Sequence, residues 1–432
     1  MDPHAAEEVS APAADALATL PLRSAPSVLA IPEFRWLYAG NVAFFLAMGA
    51  QGLVRQALAH DLTDNKLGLG LLGTLSALPM AVLSPLGGGL ADRVDRRRVI
   101  LAGQAALFVA ELAVLALVVS SALRFSHLLA LSCVMGGVFP FVMPSRQAIV
   151  ANLVGRSRLP RAMALTITGI NTARVVGPIL GGTLAETLGR SWAYAIGTSL
   201  YAVAIACTFR IPSSRPDPTA RGGTMWGSVV EGARYLRSQP LVLTLMLFGL
   251  VPLLLAFPVQ SFFVAFAEEI WARGEGGLSA LSAAVGLGGI AGSALVVWLG
   301  DQHGRARRQL LAMGVFGGGL AAFALAPSFW TGVGLLLLAM AAASVFQTLN
   351  NTAIHMLISD RMRGRISSFL LMSMSLPMLG GAPLGLAADR FGLRATFAGA
   401  ALLSVGLAVA FFALSPRLRR LDVSIREAMA SE

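Results

Sequence analysis

Charge is scarce in this chain. Of its 432 residues 13% are charged and 56% hydrophobic, whereas soluble domains carry about 25% charged residues. Soluble helices keep a polar face, and most of the apolar runs here have none, so a soluble helical protein is not expected. Lysine is nearly absent, Lys66 being the only one. The phosphate loop of an ATP-driven pump needs Gly-Lys-Ser/Thr after a glycine-rich turn, and that pattern is missing. The two cysteines, Cys133 and Cys207, lie inside apolar runs, which argues against a disulfide framework, and no metal-ligand spacing occurs. No nucleophile–base set stands out either, so neither an enzyme nor a cofactor or metal is expected. Residues 1–30 lack the basic and then apolar pattern of a cleavable signal.

Long apolar runs take the place of these features. A bilayer core needs about 20 apolar residues per helix. Spans are predicted at 37–60, 68–91, 98–121, 125–149, 162–186 and 191–210, then at 240–267, 278–300, 308–326, 329–354, 364–388 and 393–414. The 46 glycines suit helices that pack closely in lipid. The fold class expected is an all-α polytopic membrane protein of twelve transmembrane helices in two six-helix pseudo-symmetric bundles. The net charge of +11 does not argue for nucleic acid, because the arginines sit in short loops where positive charge sets topology.

The predicted division is a tail over 1–36, a first bundle over 37–210, a linker over 211–239, a second bundle over 240–414 and a tail over 415–432. The linker holds Pro212, Pro216, Pro218 and Gly222-Gly223, then a segment through Glu231 and Tyr235 suited to an amphipathic surface helix. Arginines concentrate in alternate loops, among them Arg93, Arg96, Arg158, Arg161, Arg305 and Arg307. The opposite loops hold only Lys66, Arg124, Arg190, Arg273, Arg390 and Arg394. By the positive-inside rule both termini and the linker are cytoplasmic. An internal echo supports duplication: Gly177-Pro178 followed by Gly181 resembles Ala382-Pro383 followed by Gly385.

One polar cluster between two spans reads Gly88-Gly89-Leu90-Ala91-Asp92-Arg93-Val94-Asp95-Arg96-Arg97-Arg98, with a weaker echo from Gly300-Asp301 to Arg308. On this loop the chain resembles the major facilitator superfamily, whose G-x-L-A-D-R-x-G-R-R signature it matches except that Asp95 replaces a glycine. More narrowly it resembles the branch of drug and siderophore exporters. Phe34-Arg35-Trp36-Leu37, Asp61-Leu62-Thr63, Pro144-Ser145-Arg146-Gln147-Ala148 and Glu231-Gly232-Ala233-Arg234 carry that likeness. The run from Arg174 through Gly177, Pro178, Gly181 and Gly182 resembles the fifth-helix motif of exporters. The resemblance implies a secondary transporter that exports small amphipathic molecules by proton antiport and alternating access. Its expected partners are substrate, protons and membrane lipid, without nucleic acid, and it is expected as a monomer in a bacterial inner membrane.

The resemblance assigns a conformational latch to Gly88, Gly89, Asp92, Arg93 and Arg96. Glycines let helices approach, and a carboxylate can face the positive N-terminus of a helix in the other half. The plainer reading is a basic topogenic loop. In the fifth helix, Pro178 removes a backbone hydrogen bond, and the glycines offer a smooth packing surface. The readings are a hinge and seal, or ordinary small-residue packing.

Charges at membrane depth are costly and usually functional. Glu111 and Arg174 each lie about 12 residues, roughly 18 Å, from a helix end, so they are expected to pair, either statically or as a coupling site. Arg55 and Arg146 lie nearer span ends, where snorkelling is the alternative. Gln51, Arg55, Glu111, Arg146, Gln260, Gln347 and Asn350 are the candidate substrate or proton residues. An importer of the same architecture and a non-transporting sensor are the competing functions.

Overall fold

Why the chain is helical follows from its apolar runs, which must satisfy every backbone group internally. The computed structural model describes residues 28–430 apart from 64, 92, 156–157, 216–224, 300–303, 359–361, 363–365, 367–368, 371 and 374. Among the described residues there is no strand. The first half holds α1 (Pro32–Asp61), α2 (Lys66–Ala91), α3 (Arg96–Val119), α4 (Phe125–Val154), α5 (Leu159–Leu188) and α6 (Arg190–Phe209). The amphipathic α7 (Met225–Ser238) follows. The second half holds α8 (Pro240–Ala256), α9 (Gly274–Leu299), α10 (Arg305–Ala324), α11 (Phe329–Leu357), α12 (Gly381–Phe391) and α13 (Leu393–Leu414), and α14 (Leu421–Ala430) comes last. Among the described residues ten helices are long and apolar enough to cross a membrane. The protein is therefore a multi-pass membrane protein.

The two halves repeat one packing scheme. In the first, α2 and α3 pack on α4, and α1 and α3 on α6. In the second, α9 and α10 pack on α11, and α8 and α10 on α13. Across the seam the pairing is reciprocal: α2 meets α12, and α5 meets α9. Helix ends are set locally. Asp95 caps α3 by accepting from the Arg97 N–H at 3.0 Å, and Ser328 caps α11. Gly189 (φ 89°) and Gly392 (φ 81°) end α5 and α12 in a backbone conformation that favours glycine.

The seventh span departs from the continuous helix expected over 240–267. After Ala256 the chain tightens into a 3-10 stretch, Phe257–Phe262, and later a π turn, Phe266–Ile270. Pro252 and Pro258 withhold two backbone donors there. A second 3-10 stretch, Leu376–Gly380, precedes α12. The two face each other, since a Cβ on Gly380 would lie 3.2 Å from Pro258. Interrupted helices at mid-membrane are where transporters expose backbone to a cavity.

Candidate functional site

A cavity of about 720 Å³ lies between the halves, lined by residues of α1, α2, α4 and α5 on one side and of the broken α8, α9 and α11 on the other. That volume is in the range of small-molecule sites, about 300–1,000 Å³. Phe44, Phe257 and Phe263 supply aromatic wall, and Asn171, Gln260 and Gln347 supply amides. Among the described residues Arg174 is the one charged side chain lining it. Its guanidinium stands 5.6 Å over the Phe45 ring, and no carboxylate among the described residues bonds to it. Arg174 thus presents an uncompensated positive charge to an amphipathic space. Asn350 and Asn351 sit instead on a smaller cavity of about 50 Å³, shared with Gln347 and Phe346.

The remaining candidates gather inside the first bundle. Glu111 is fully buried on α3. Arg55 of α1 donates to it at 3.4 Å, and the Tyr194 hydroxyl of α6 donates to its other oxygen. The Gln51 amide fits with its nitrogen 3.2 Å from Glu111 and its oxygen accepting from the Thr198 N–H at 3.0 Å. Glu111 therefore pairs with Arg55, not with Arg174. The reason is packing: α3 lies against α4 and α6, while α5 faces α1 and α9. Equal depth did not mean adjacency. Nor do Arg55 and Arg146 snorkel, since both are buried. Arg146 donates to Asn41 of α1 and lies 4.3 Å over the Phe44 ring.

The fifth-helix glycines serve two partners. Gly177 meets α1, where a Cβ would lie 3.0 Å from the Gly49 Cα. At Gly181 a Cβ would come 2.7 Å from the Ala50 Cα. Gly182 faces the other half, 2.7 Å from the Ser279 Cβ by the same measure, and the Ser279 hydroxyl donates to the Pro178 carbonyl at 3.4 Å. The helix runs unbroken through Pro178.

At the arginine-rich end Gly88 and Gly89 lie in the last turn of α2, and Asp92 is outside the described residues. Asp95, where the signature has glycine, accepts from the Ser213 hydroxyl at 2.6 Å and the Ser214 N–H at 3.1 Å. Burial pushes its carboxyl up, but these bonds, the Arg97 N–H and the Arg98 charge outweigh that and hold it below the usual aspartate value. Asp95 thus ties the segment after α6 to α3 within one half.

The opposite end is closed by ties across the seam. Lys66 Nζ reaches Glu269 at 2.6 Å, and His60 Nε2 lies 3.4 Å from Glu268. Arg190 bonds both Asp61 of its own half and Glu275 of the other. Asp389, at the end of α12, accepts from the Lys66 N–H at 2.6 Å and the Leu67 N–H at 3.0 Å. Asp389 is not among the residues singled out from the sequence, yet a signal is there: Gly385, Asp389 and Arg390 repeat the spacing of Gly88, Asp92 and Arg93.

Two helical halves around a cavity between them, closed at one end by reciprocal helix contacts, define a transporter of the major facilitator type rather than an enzyme. The chain belongs to the transmembrane secretion effector family of that superfamily, whose model matches residues 23–431. It is 28% identical over 341 residues to enterobactin exporter EntS of Shigella boydii, covering 78% of this chain and 80% of that one. The same identity and coverage hold for enterobactin exporter EntS of an Escherichia coli strain. Among solved structures, a bacterial homologue of the human lysosomal transporter Spinster, inward-facing and unoccupied, has TM-score 0.67 and 16% identity over 91% of this chain and 97% of that one. Nucleoside transporter NupG has TM-score 0.69 and 15% identity, over 88% and 98%. Both likenesses are of fold.

Proposed function

We propose that this chain exports small amphipathic anions across a bacterial inner membrane in exchange for protons, by alternating access, with siderophores as the leading substrate class and drugs as the alternative. The observation that carries this reading is Arg174, among the described residues the one charge lining a cavity otherwise walled by aromatic rings, amides, serine hydroxyls and apolar groups. A ligand anion there gains a charge-assisted bond that no protein carboxylate contests. The relatives named enterobactin exporter favour an acidic siderophore. In this reading the arginine-rich loops and both termini are cytoplasmic, and the chain works as a monomer. The bundles are 37–210 and 240–414, joined by 211–239 and flanked by tails at 1–36 and 415–432. The cross-seam ties at the far end then make the outer gate, and Gly88, Gly89, Asp92, Arg93 and Arg96 form the latch of the inner one. Glu111 is the carboxyl whose protonation would release Arg55.

The test compares wild type with a deletion strain under iron limitation, measuring small molecules in cells and medium by mass spectrometry. A siderophore retained in deleted cells and restored to the medium by the wild-type gene supports the reading. No compound retained in the deleted cells, with one external nutrient left unconsumed by the deletion strain, would replace export with import.

A further inference from the structure

The closed end contains two corners that repeat one arrangement. At the first, α5 ends on Gly182-Thr183-Leu184-Ala185-Glu186-Thr187-Leu188-Gly189 beside the start of α9. At the second, α12 ends on Gly385-Leu386-Ala387-Ala388-Asp389-Arg390-Phe391-Gly392 beside the start of α2. Glycine, alanine, acid and glycine fall at the same spacing in both. The last glycines share a backbone conformation, φ 89° and ψ 158° at Gly189 and φ 81° and ψ 157° at Gly392. The first glycines set the approach: a Cβ on Gly182 would lie 3.3 Å from the Glu275 carbonyl oxygen, and one on Gly385 2.8 Å from the Leu67 Cα.

The acids differ in what they reach. Asp389 accepts from two backbone N–H groups at the N-terminus of α2, in the other half. Those groups have no partner within α2 itself, and the helix dipole favours an anion there. The bond therefore exists only while α12 and α2 are in register across the seam. Glu186 is one methylene longer. Its Oε2 lies 3.2 Å from where a Cβ on Gly276 would be, yet it makes no backbone bond to α9 among the described residues. The seam at that corner is closed by Arg190 and Glu275 instead.

We infer that Asp389 is a gating residue: its carboxylate on the α2 N-terminus holds this end of the transporter shut, and the Gly182–Glu186 corner is a weaker copy of the same clasp. The inference rests on the alternating-access reading above. It adds that the clasp on the closed face is built from the same residue types, at the same Gly-x-x-x-Asp-Arg spacing, as the Gly88–Asp92–Arg93 loop on the other face. Opening at one end breaks one clasp as closing at the other makes its counterpart. The Lys66 side chain adds to the clasp only through Glu269, a pair near the surface expected to contribute little.

The experiment measures distances across the closed face, so it needs no substrate and no transport. Spin labels are placed at Leu188→Cys and Phe391→Cys, both exposed helix ends, in the full chain with Cys133→Ala and Cys207→Ala. Wild type is expected to show one dominant distance. Asp389→Ala and Asp389→Asn are each expected to add a longer one, lowering the closed-to-open ratio about 2- to 30-fold, the range of a carboxylate at a helix N-terminus. Glu186→Gln should stay within about twofold of wild type, because it forfeits no backbone bond. If Asp389→Ala does not fold, Asp389→Asn keeps an acceptor without the charge and decides the matter alone. An unchanged distribution in the folded variant overturns the inference. A shift in Glu186→Gln as large as in Asp389→Asn overturns the ranking of the two corners. Failure of export with an intact shift would count against the proposed substrate and not against the gate.

Discussion

The two halves share a packing scheme and differ in what they bury. Inside the first bundle lie Arg55, Glu111 and Arg146 with Gln51, Asn41 and two buried tyrosines. Among the described residues the second has no charge at comparable depth. Its interior is Phe262, Phe266, Phe316, Phe323, Phe346 and Phe397, and its buried polar residues are uncharged: Gln309, Asn350 and the serines Ser279, Ser375 and Ser404. One bundle is held partly by directional bonds that proton transfer or a ligand can exchange. The other is held by close packing, which resists continuous deformation. Under the alternating access proposed above, the aromatic half would move as a body, while the polar half carries Arg174 and the groups whose partners would change.

The sharpest way to break this contrast is to remove the pair at its centre. Glu111→Leu leaves Arg55 buried without its carboxylate, and breaking a buried pair costs about 3–5 kcal/mol. A large fall in the unfolding midpoint in detergent is expected. Arg55→Met combined with Glu111→Leu should recover much of it, because two apolar side chains leave no orphan charge. If the single variant is as stable as wild type, the polar cluster does not hold α1, α3 and α6 together.

Arg174 sets the next effect, on transport rather than stability. Losing one charge-assisted bond to a ligand costs about 1.5–3 kcal/mol, roughly ten- to a hundredfold in apparent affinity. Arg174→Gln should therefore raise the substrate concentration needed for half-maximal export into inverted vesicles by about that factor, with protein level unchanged. Arg174→Lys should fall between. An unaltered dependence would move substrate recognition to the amides of the second half, Gln260 and Gln347.

A smaller effect of opposite sign is expected at Gln309, which is fully buried on α10 with neither amide atom bonded among the described residues. An unsatisfied buried amide costs about 1–3 kcal/mol, so Gln309→Met should stabilise the protein by about 1 kcal/mol. If the midpoint falls instead, the second half depends on a polar contact in its core, and the contrast between the halves weakens.

Much of the architecture was legible because lipid forbids unpaired backbone, which makes apolar length a strong signal. The helix pairs were not, because periodicity says where a side chain lies along a helix and not which neighbour it faces. That is why Glu111 and Arg174, equal in depth, were matched wrongly, whereas Arg55 and Tyr194 were the partners. The break at Phe257 hid in a run that stays largely apolar, although Pro252, Pro258 and the polar pair Gln260-Ser261 marked it. Gly181 and Gly182 were legible as packing glycines, but only the fold separates the one that meets Ala50 from the one that meets Ser279 across the seam. Asp389 was missed because acids at span ends read as solvated loop charge. Its spacing from Gly385 was the available signal.

The remaining predictions concern how each half secures its own last helix, and the smallest of them falls at Asp422. In the first, the segment after α6 returns to Asp95, which accepts from Ser213, Ser214 and Arg97. In the second, the segment after α13 supplies Asp422, which accepts from the N–H groups of Gly304 at 2.8 Å and Arg305 at 3.3 Å. Both tie a returning segment to the third helix of its half, but the carboxylate sits on opposite partners. Asp95→Ala removes a helix cap and two further bonds and should cost about 1–2 kcal/mol. Asp422→Ala loses a carboxylate at a helix N-terminus, about 0.3–1 kcal/mol. The first tie also has a defined pH sense. The folded-state pKa of Asp95 is lowered, so its contribution is fully present above the ordinary aspartate range and is lost as pH falls through the lowered value. Asp95→Asn, which cannot ionise, should therefore narrow its stability gap to wild type in acid, as followed by unfolding midpoints from pH 7 downward. A gap that stays constant would mean that Asp95 acts through its hydrogen bonds alone and not through its charge.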